Sequence, residues 1–384
     1  MSKTICIITS SRADYGLLKL VIKEIMHDSY LTLKLVATGM HLLPKYGNTF
    51  QEIIQDGYLI DKKIEILTGK NNAKGVSESI GLGISKFADM FAEMKPDLVL
   101  ILGDRFEIFA AAIAAHVALI PIAHIHGGEL TEGALDDAFR HSITKMSQLH
   151  FVSTQEYARR VIQLGEHPSR VYNTGALGID VASKLKLLEK DELEAKLNFK
   201  FGERTLLVTY HTTSLESEYT RDQIQELLSA LNELHETHLL FTLPNADPDS
   251  NIISSAINEF VAGHKNAKVF TSLGQLLYFS CMALADGVIG NSSSGILETP
   301  FFRKGTINIG KRQLGRIQSE SVINCSAKKN SILSSIETLY SNEFQKKLKV
   351  FENPYGQTGA SEKIVEVLKA IPTLKILQKK FYNL

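Results

Sequence analysis

Two stretches of the sequence combine residue types that bind anions and move protons. The stretch GNSSSGILE, residues 290–298, sets three consecutive serines between two glycines and ends on Glu298. Hydroxyl and backbone N–H groups at a turn between a strand and a helix suit a phosphate group. The stretch HGGELTEGALDDAFRH, residues 126–141, gathers acids and histidines around a Gly-Gly turn. Crowded carboxylates raise one another's pKa, so such a cluster can hold both a proton donor and a proton acceptor.

The carboxylates are the candidate catalytic groups. Glu129, Asp136 and Asp137 lie in the second stretch, and Asp104 lies in GDRFE, directly after the apolar run DLVLIL. An ion pair between Asp104 and Arg105 at a helix start is the alternative explanation for those two residues. The acids around the Gly-Gly turn outnumber what helix capping requires. We therefore predict acid–base chemistry at this cluster.

No cofactor or metal motif accompanies these residues. His124 and His126 alternate at strand spacing, and a metal site there is the alternative to acid–base chemistry, although HExxH and similar ligand spacings are missing from the sequence. The dinucleotide fingerprint GxGxxG and the phosphate-loop pattern GxxxxGKS/T are missing as well. The motifs therefore support neither a nicotinamide cofactor nor a nucleoside triphosphate.

Cationic and amide side chains follow several of the predicted strands. Beside a diphosphate, such groups offset the cost of burying its charge. Ser11 and Asp14 are explained equally well as helix caps, whereas Arg12 between them is not. Glu298, one helical turn after the serines, suits two ribose hydroxyls. The candidate anion-binding residues are Arg12, Arg105, His211, Asn245, Ser292, Ser293 and Arg312.

Short apolar runs alternate with longer amphipathic segments, which is typical of a parallel sheet covered by helices. The pattern starts again in the second half of the chain. We therefore predict an α/β fold of two Rossmann-like domains, with the active site in a cleft between them at the carboxyl ends of the strands. The predicted strands are 4–9, 31–38, 97–102, 119–125, 149–153, 205–210, 238–243, 267–271, 286–290 and 305–310.

The segment NTGALGID, residues 173–180, contains two glycines and no strong periodicity, so we predict a hinge there. We place the domain boundary near residue 177. Residues 1–177 then form an N-terminal domain with the catalytic carboxylates, and residues 178–384 form a C-terminal domain with the phosphate-binding turn. A last helix near 360–378 either caps the second domain or packs back on the first.

Composition limits the partners. Lys plus Arg and Asp plus Glu both number 42, so no overall basic field exists to attract a nucleic acid. No run approaches the roughly 20 apolar residues that cross a bilayer, and the N-terminal apolar run is too short for a signal peptide. The three cysteines lie far apart, as expected for buried thiols. We predict a cytoplasmic protein without a membrane partner.

Five motifs in order resemble those of the hydrolysing UDP-N-acetylglucosamine 2-epimerases, the NeuC type that supplies bacterial sialic acid synthesis. They are SSRADYGLL, LGDRFE, HIHGGELTEGALDDAFRHSITK, PNADPDS and GNSSSGILE, and the resemblance covers roughly residues 3–370. Non-hydrolysing epimerases carry GDTTT and HVEAGLRT where this chain reads GDRFE and HIHGGELTE. The resemblance implies the glycosyltransferase-B architecture with a nucleotide sugar between the domains.

The resemblance also implies residue roles. Asp104, Glu129 and the pair Asp136–Asp137 match the family's catalytic acids, without a choice between the last two, and Glu298 matches the ribose ligand. No metal and no redox cofactor is implied, and family members often form homodimers or homotetramers. The diphosphate and uridine contacts fall on Arg12, Arg105, His211, Asn245, Ser292, Ser293 and Arg312.

The implied substrate is UDP-N-acetylglucosamine, and the implied products are N-acetylmannosamine and UDP. A carboxylate removes the C2 proton while the nucleoside diphosphate leaves C1, and the glycal-like intermediate is then protonated at C2 from the opposite face and takes water at C1. Cationic side chains and backbone N–H groups stabilise the leaving group. Closure of the domains would keep bulk water from the intermediate.

Three alternatives stay open. The sugar of the same reaction can be a UDP- or GDP-linked diacetamido-trideoxyhexose on the route to legionaminic acid. A glycosyltransferase of the same architecture would use the GNSSSG turn but has no use for the carboxylate cluster at 129–137. A nucleotide-sugar sensor without catalysis would need only the binding residues.

Overall fold

The structure is a computed structural model that describes residues 2–70, 72–132, 135–213, 218–244, 249–356, 358–372 and 376–384. The chain forms two compact units. The first comprises Met1–Glu129, Leu135–Val181 and Tyr355–Leu384, and the second comprises Leu130–Ala134 and Ala182–Pro354. In the described part of the chain, we find no helix whose length and apolar character would let it span a bilayer.

The first unit is built on a parallel sheet. Its strands are β1 (Lys3–Thr9), β2 (Leu31–Thr38), β3 (Lys62–Ile64), β4 (Leu98–Leu102), β5 (Ile122–Ile125), β6 (Leu149–Val152) and β7 (Val171–Asn173). They lie in the order β3-β2-β1-β4-β5-β6-β7. The direction of strand addition reverses between β1 and β4, so the loops after these two strands diverge and leave a crevice at the carboxyl end of the sheet.

Helices cover both faces of this sheet. The side chains of β1 alternate between two cores: Ile5 and Ile7 pack into one cluster, and Cys6 and Ile8 pack into the other. This two-sided burial explains why the strands read as continuous apolar runs. The helices are α1 (Arg12–His27), α2 (Phe50–Gln55), α3 (Ala73–Met94), α4 (Phe106–Val117), α5 (Leu135–Met146), α6 (Gln155–Gln163) and α7 (Leu177–Lys184).

The second unit repeats the plan. Its strands are β8 (Arg204–Thr209), β9 (Thr237–Thr242), β10 (Ala267–Phe270), β11 (Gly287–Gly290), β12 (Gly305–Ile309) and β13 (Val322–Cys325). They are parallel, in the order β10-β9-β8-β11-β12-β13, so the switch point lies between β8 and β11. The helices are α8 (Lys190–Leu197), α9 (Thr220–Leu231), α10 (Ser250–Ala262), α11 (Gly274–Leu284), α12 (Ser294–Leu297), α13 (Lys329–Tyr340) and α14 (Asn342–Val350).

The last helix, α15 (Ala360–Ala370), belongs to the first unit. Ile364 and Leu368 are fully buried in the same cluster as the apolar face of α1. At the N-terminus of α15, the buried Asp180 carboxylate accepts a hydrogen bond from Ser361 Oγ at 2.5 Å and another from the Ser361 backbone N–H at 2.9 Å. The chain therefore returns to the first unit at its end, and the second unit does not extend to residue 384.

Within the segment 173–180, for which a hinge is predicted, α7 begins at Leu177, so the second half of the segment is helical. Leu177 and Ile179 are fully buried, so core packing stabilises a helix that Gly178 disfavours. The division between the units falls between Val181 and Ala182, inside α7. The α/β class and the two Rossmann-like sheets predicted from the sequence are confirmed.

Candidate active site

The loop after β1 starts α1 with a capping box. The Ser11 side chain accepts from the Asp14 backbone N–H, and the buried Asp14 carboxylate accepts from the backbone N–H groups of Ser10 at 2.8 Å and Ser11 at 2.7 Å. Ser11 and Asp14 are therefore helix caps. Arg12 is the first residue of α1 and its side chain is exposed, as a ligand-binding residue at this strand end requires.

The loop after β4 carries Asp104 and Arg105. The Arg105 guanidinium donates from Nη2 to Glu107 Oε1 at 2.9 Å, and Glu107 is completely buried. Gly39, at φ +59°, lets this pair approach, because a Cβ atom there would lie 2.9 Å from Glu107 Oε1. Arg105 thus pairs with Glu107 rather than with Asp104, and the ion pair suggested as the alternative explanation of GDRFE does not form.

His124 supports the same loop from β5. Its Nε2–H donates to the Gly103 carbonyl at 2.8 Å, and its Nδ1 accepts from Thr144 Oγ1 at 3.3 Å. Burial lowers the pKa of His124 to about 3, so the imidazole is neutral at physiological pH. This residue fixes the backbone before Asp104.

Arg140 of α5 joins the acidic groups. The side chain is almost fully buried. Its Nη2 donates to Asp104 Oδ2, and its Nη1 donates to Asp137 Oδ1 at 3.1 Å and to the Glu129 backbone carbonyl at 2.8 Å. One guanidinium therefore contacts three of the four candidate catalytic residues, namely Asp104, Glu129 and Asp137.

The structure distinguishes Asp136 from Asp137. Asp137 binds Arg140, and its Oδ2 lies 3.5 Å from His141 Nε2. The pKa of Asp136 is raised to about 6, first by burial of its carboxyl group and then by the negative charge of Asp104, while Arg105 and Arg140 oppose the rise. Asp136 is exposed as a residue. Its proton affinity depends on the protein atoms that surround the carboxyl group, and this local surrounding differs from the average exposure of the residue.

Glu129 lies in a second, more enclosed position. It is 3% exposed, and its Oε1 lies 3.4 Å from His126 Nδ1 and accepts from Ser153 Oγ at 3.3 Å. His126 adopts φ +65°, a left-handed conformation that is uncommon for a residue with a side chain. A strained histidine beside a buried carboxylate is a feature of functional sites more than of structural loops.

In the second unit, the loops after β8 and β11 are tied together by Asn291. Its Oδ1 accepts from the His211 backbone N–H at 2.7 Å, and its Nδ2 donates to the His211 carbonyl at 2.8 Å. The Arg312 guanidinium donates to the Asn291 carbonyl at 3.1 Å. Burial, with a smaller contribution from Arg312, lowers the pKa of His211 to about 3. His211 is therefore neutral, and Arg312 is the cation of this group.

The serine turn lies between β11 and α12. Ser292 Oγ lies 3.1 Å from Ser294 Oγ, which lies 2.6 Å from the Tyr278 hydroxyl. Ser293 precedes α12 and makes no capping hydrogen bond through its side chain. The helix predicted after this turn is only the four-residue α12, so the anion-binding groups here are hydroxyls and N–H groups of a turn rather than a long helix dipole. Glu298 follows it and is buried.

The predicted residues thus form one group in each unit. Asp104, Arg105, Glu129, Asp136 and Asp137 lie together in the first, and His211, Arg312 and the serine turn lie together in the second. Asn245 lies outside the described residues. Among the residues that are described, no three His, Cys, Asp or Glu side chains are arranged to hold a metal ion.

Sequence reasoning missed Arg140, Glu107 and Asn291 as members of these groups. The spacing of Arg140, three residues after Asp137 on one helix, would have brought the two together. Asn291 stands inside the quoted turn but was not singled out. The ion pair of Glu107 with Arg105 is visible only in the structure, because in the sequence Glu107 looks like an ordinary acid in the first turn of a helix.

Two successive Rossmann-like units, each with polar groups after its switch-point strands, give the chain a glycosyltransferase-B-like architecture. A solved structure of UDP-GlcNAc 2-epimerase from Neisseria meningitidis, bound to UDP-GlcNAc, shares this fold with a TM-score of 0.81. That protein is 22% identical, and the match covers 95% of this chain and 99% of the other. The family model described as UDP-N-acetylglucosamine 2-epimerase matches residues 23–369.

Curated relatives match the whole length. A Campylobacter jejuni protein named GDP/UDP-N,N'-diacetylbacillosamine 2-epimerase (hydrolyzing) is 41% identical, with 100% of each chain covered. The Escherichia coli polysialic acid biosynthesis protein P7 is 39% identical over 96% of this chain and 94% of its own. A Legionella pneumophila UDP-N,N'-diacetylbacillosamine 2-epimerase (hydrolyzing) is 33% identical over 97% of both. The chain belongs to the UDP-N-acetylglucosamine 2-epimerase family, in its hydrolysing branch, as the sequence motifs predicted.

Proposed function

We propose that this enzyme hydrolyses a nucleoside-diphosphate 2-acetamido sugar and inverts the configuration at C2. The observation that carries the proposal is the unequal setting of three neighbouring carboxylates. Asp104 and Asp137 bind the Arg140 guanidinium, whereas the pKa of Asp136 is raised to about 6 by burial and by Asp104. A base with a pKa near the working pH is the most effective proton acceptor.

In this proposal Asp136 accepts the C2 proton. The electron pair of the C2–H bond forms the C1=C2 double bond, and the C1–O bond breaks with its electrons passing to the nucleoside diphosphate. A second acid then delivers a proton to C2 on the opposite face, and a water molecule adds its oxygen at C1. The proton that this water loses restores the second acid, and the proton held by Asp136 is released with the nucleoside diphosphate. The net reaction consumes one water molecule and releases the free sugar and the nucleoside diphosphate.

The second proton carrier in this scheme is Glu129. Its buried carboxylate next to His126 and Ser153 has the partners needed to hold a proton in one step and release it in another. An elimination and a re-addition on opposite faces of one sugar ring require two separate groups, because a single carboxylate cannot reach both faces. The separate settings of Asp136 and Glu129 support this division.

The second unit supplies the nucleotide ligands of the proposal. The hydroxyl and N–H groups at Ser292 and Ser293 and the Arg312 cation suit the diphosphate, and the buried Glu298 suits the ribose hydroxyls. His211 is neutral and so contributes a hydrogen bond rather than a charge. Arg12, Arg105 and Asn245 complete the predicted set.

We propose UDP-N,N'-diacetylbacillosamine as the first candidate substrate. Two relatives, at 41% and 33% identity, carry that sugar in their names. UDP-N-acetylglucosamine, which the motifs suggested first, is the second candidate, favoured by the 39% identical polysialic acid biosynthesis protein. The first relative's name includes GDP as well as UDP, so the GDP-linked sugar belongs in the same comparison.

The test is a product assay by NMR in deuterated water with the three nucleotide sugars at equal concentration. We expect release of the nucleoside diphosphate together with a free sugar that is inverted and deuterated at C2, with the diacetylated substrate turned over fastest. Faster turnover of UDP-N-acetylglucosamine would reverse the order of the two substrates. Released sugar without deuterium at C2 would overturn the mechanism and favour simple transfer to water or to an acceptor.

A further inference from the structure

We infer that Arg140 is a positioning residue of the reaction: its single buried guanidinium holds the carboxylates of Asp104 and Asp137 in place and fixes the Glu129 backbone, which leaves Asp136 as the carboxylate that exchanges a proton. The inference rests on the proposed function and adds a residue that the motifs did not single out. The observation behind it is that one side chain contacts three chain segments. They are the end of β4, the loop after β5 and the first turns of α5.

The contacts specify an arginine. Nη2 donates to Asp104 Oδ2, while Nη1 donates to Asp137 Oδ1 at 3.1 Å and to the Glu129 carbonyl at 2.8 Å. These acceptors lie in different directions around a planar fork. A lysine ammonium is a point charge on a flexible stem and cannot serve both carboxylates in a fixed geometry. The guanidinium therefore orients the acids as well as neutralising them.

The guanidinium of Arg140 is buried next to the two carboxylates that it binds. The Arg140 side chain is 3% exposed, whereas the side chains of Asp104 and Asp137 are 23% and 25% exposed, so the buried guanidinium is held in place by the protein around it while its partners face the solvent. Without the guanidinium, Asp104 and Asp137 would be left beside Asp136 with no buried counter-ion of their own. Because Arg140 is one of the cations that lower the pKa of Asp136, its loss would raise that pKa further.

Other charged groups face the same acids and limit how much the loss of Arg140 would change their charge environment. Arg105 stabilises the Asp136 anion and is itself paired with Glu107. His141, which lies four residues after Asp137 and therefore one turn further along α5, also approaches the Asp137 carboxylate. Among the described residues, the titratable and charged groups that interact with Arg140 or with its neighbours include Asp104, Arg105, Glu107, His124, His126, Glu129, Asp136, Asp137, His141, His150 and Arg160.

The test compares Arg140→Met, Arg140→Lys and the matched control Arg170→Met. Arg170 is a guanidinium of the same unit that, within the described residues, donates to the backbone carbonyls of Ile376 and Gln378. For Arg140→Met we expect turnover to fall about a hundredfold and the acidic limb of the kcat/KM profile to move up by about one pH unit or more, because a cation next to the base is lost. Binding of UDP, measured by calorimetry, should change less than about threefold.

Arg140→Lys keeps the charge and loses the fork. We expect its acidic limb to stay within about half a pH unit of the wild type while kcat remains about tenfold lower. Arg170→Met should keep the wild-type pH profile. If Arg140→Met does not fold, as judged by circular dichroism and UDP binding, the lysine variant alone decides.

An unchanged pH profile and turnover in either Arg140 variant would overturn the inference, and so would an equal shift in Arg170→Met. Failure of the proposed function is recognised separately. If Asp136→Asn turns over normally, the proposed base is wrong. If Asp136→Asn is inactive while Arg140→Met behaves as the wild type, the base stands and the role of Arg140 fails.

Discussion

Asp180 and Ser361 lie 181 positions apart in sequence, yet the Asp180 carboxylate accepts from both the Ser361 hydroxyl, at 2.5 Å, and the Ser361 backbone N–H, at 2.9 Å. The contact joins α7 to the N-terminus of α15. A carboxylate at a helix N-terminus is also favoured by the helix dipole. This pair therefore fastens the C-terminal segment to the first unit.

Asp180→Asn is expected to destabilise the first unit by about 2 kcal/mol, since hydrogen bonds to a charged group contribute roughly 1.5–3 kcal/mol and the amide keeps only one acceptor oxygen. Denaturant unfolding measures the change. The control is Asp191→Asn on the exposed face of α8, which should lie within about 0.5 kcal/mol of the wild type. Equal stability of the two variants would argue against the fastening role.

Glu107→Gln should weaken substrate binding more than turnover. The variant removes the charge that anchors Arg105 at 2.9 Å, so the guanidinium loses its fixed position. We expect KM for the nucleotide sugar to rise about tenfold, equivalent to about 1.4 kcal/mol, with kcat within about threefold of the wild type. Glu93→Gln, which breaks an exposed ion pair with Lys62, is the matched control. A drop in kcat alone would contradict this role.

Gly290 is a position in the described part of the chain where a side chain is poorly tolerated. Its φ is +141°, and a Cβ atom would lie 1.9 Å from the Thr209 carbonyl oxygen of the neighbouring strand. Gly290→Ala must push β8 and β11 apart and should cost about 3 kcal/mol or more. Gly263→Ala, with a negative φ and its nearest contact at 3.6 Å, should be nearly neutral. Comparable melting temperatures would show that the strands part easily.

His211 should make stability depend on pH with a defined sign. Burial lowers its folded-state pKa to about 3, below the unfolded value of about 6.5, so the stability contributed by the neutral form is complete above pH 6.5. It is lost as the pH falls from about 6.5 toward 3, by about 1.4 kcal/mol per pH unit at most. The stability difference between the wild type and His211→Gln should therefore shrink across that window. A difference that does not vary with pH would contradict a neutral, buried His211.

The sequence was sufficient for the architecture because parallel strands buried on both faces read as continuous apolar runs, as in β1 and β4. It was insufficient for three short strands, β3, β7 and β13, which carry too little periodicity to be recognised. The sequence could not assign α15 to one of the two units, because its apolar face would fit either core. Only the contact of Asp180 with Ser361 and the packing on α1 assign it.

For the site, the strand-end positions of Asp104 and His211 followed from the order of elements alone. The choice between Asp136 and Asp137 did not. Neighbouring residues of a helix point about 100° apart, and which one turns toward Asp104 depends on how α5 is rotated against the sheet. Arg140 sets that relation through contacts from three segments, which no local pattern encodes.

The central claim is that Asp136, and not Asp137, exchanges the C2 proton. The most direct measurement is the initial rate of nucleoside diphosphate release by Asp136→Asn and Asp137→Asn at pH 7.5, with UDP binding by both variants verified. We expect Asp136→Asn to lose about a thousandfold in kcat, within the range typical of a general base, and Asp137→Asn to lose less than about tenfold. The opposite order, or equal losses in the two variants, would contradict the account.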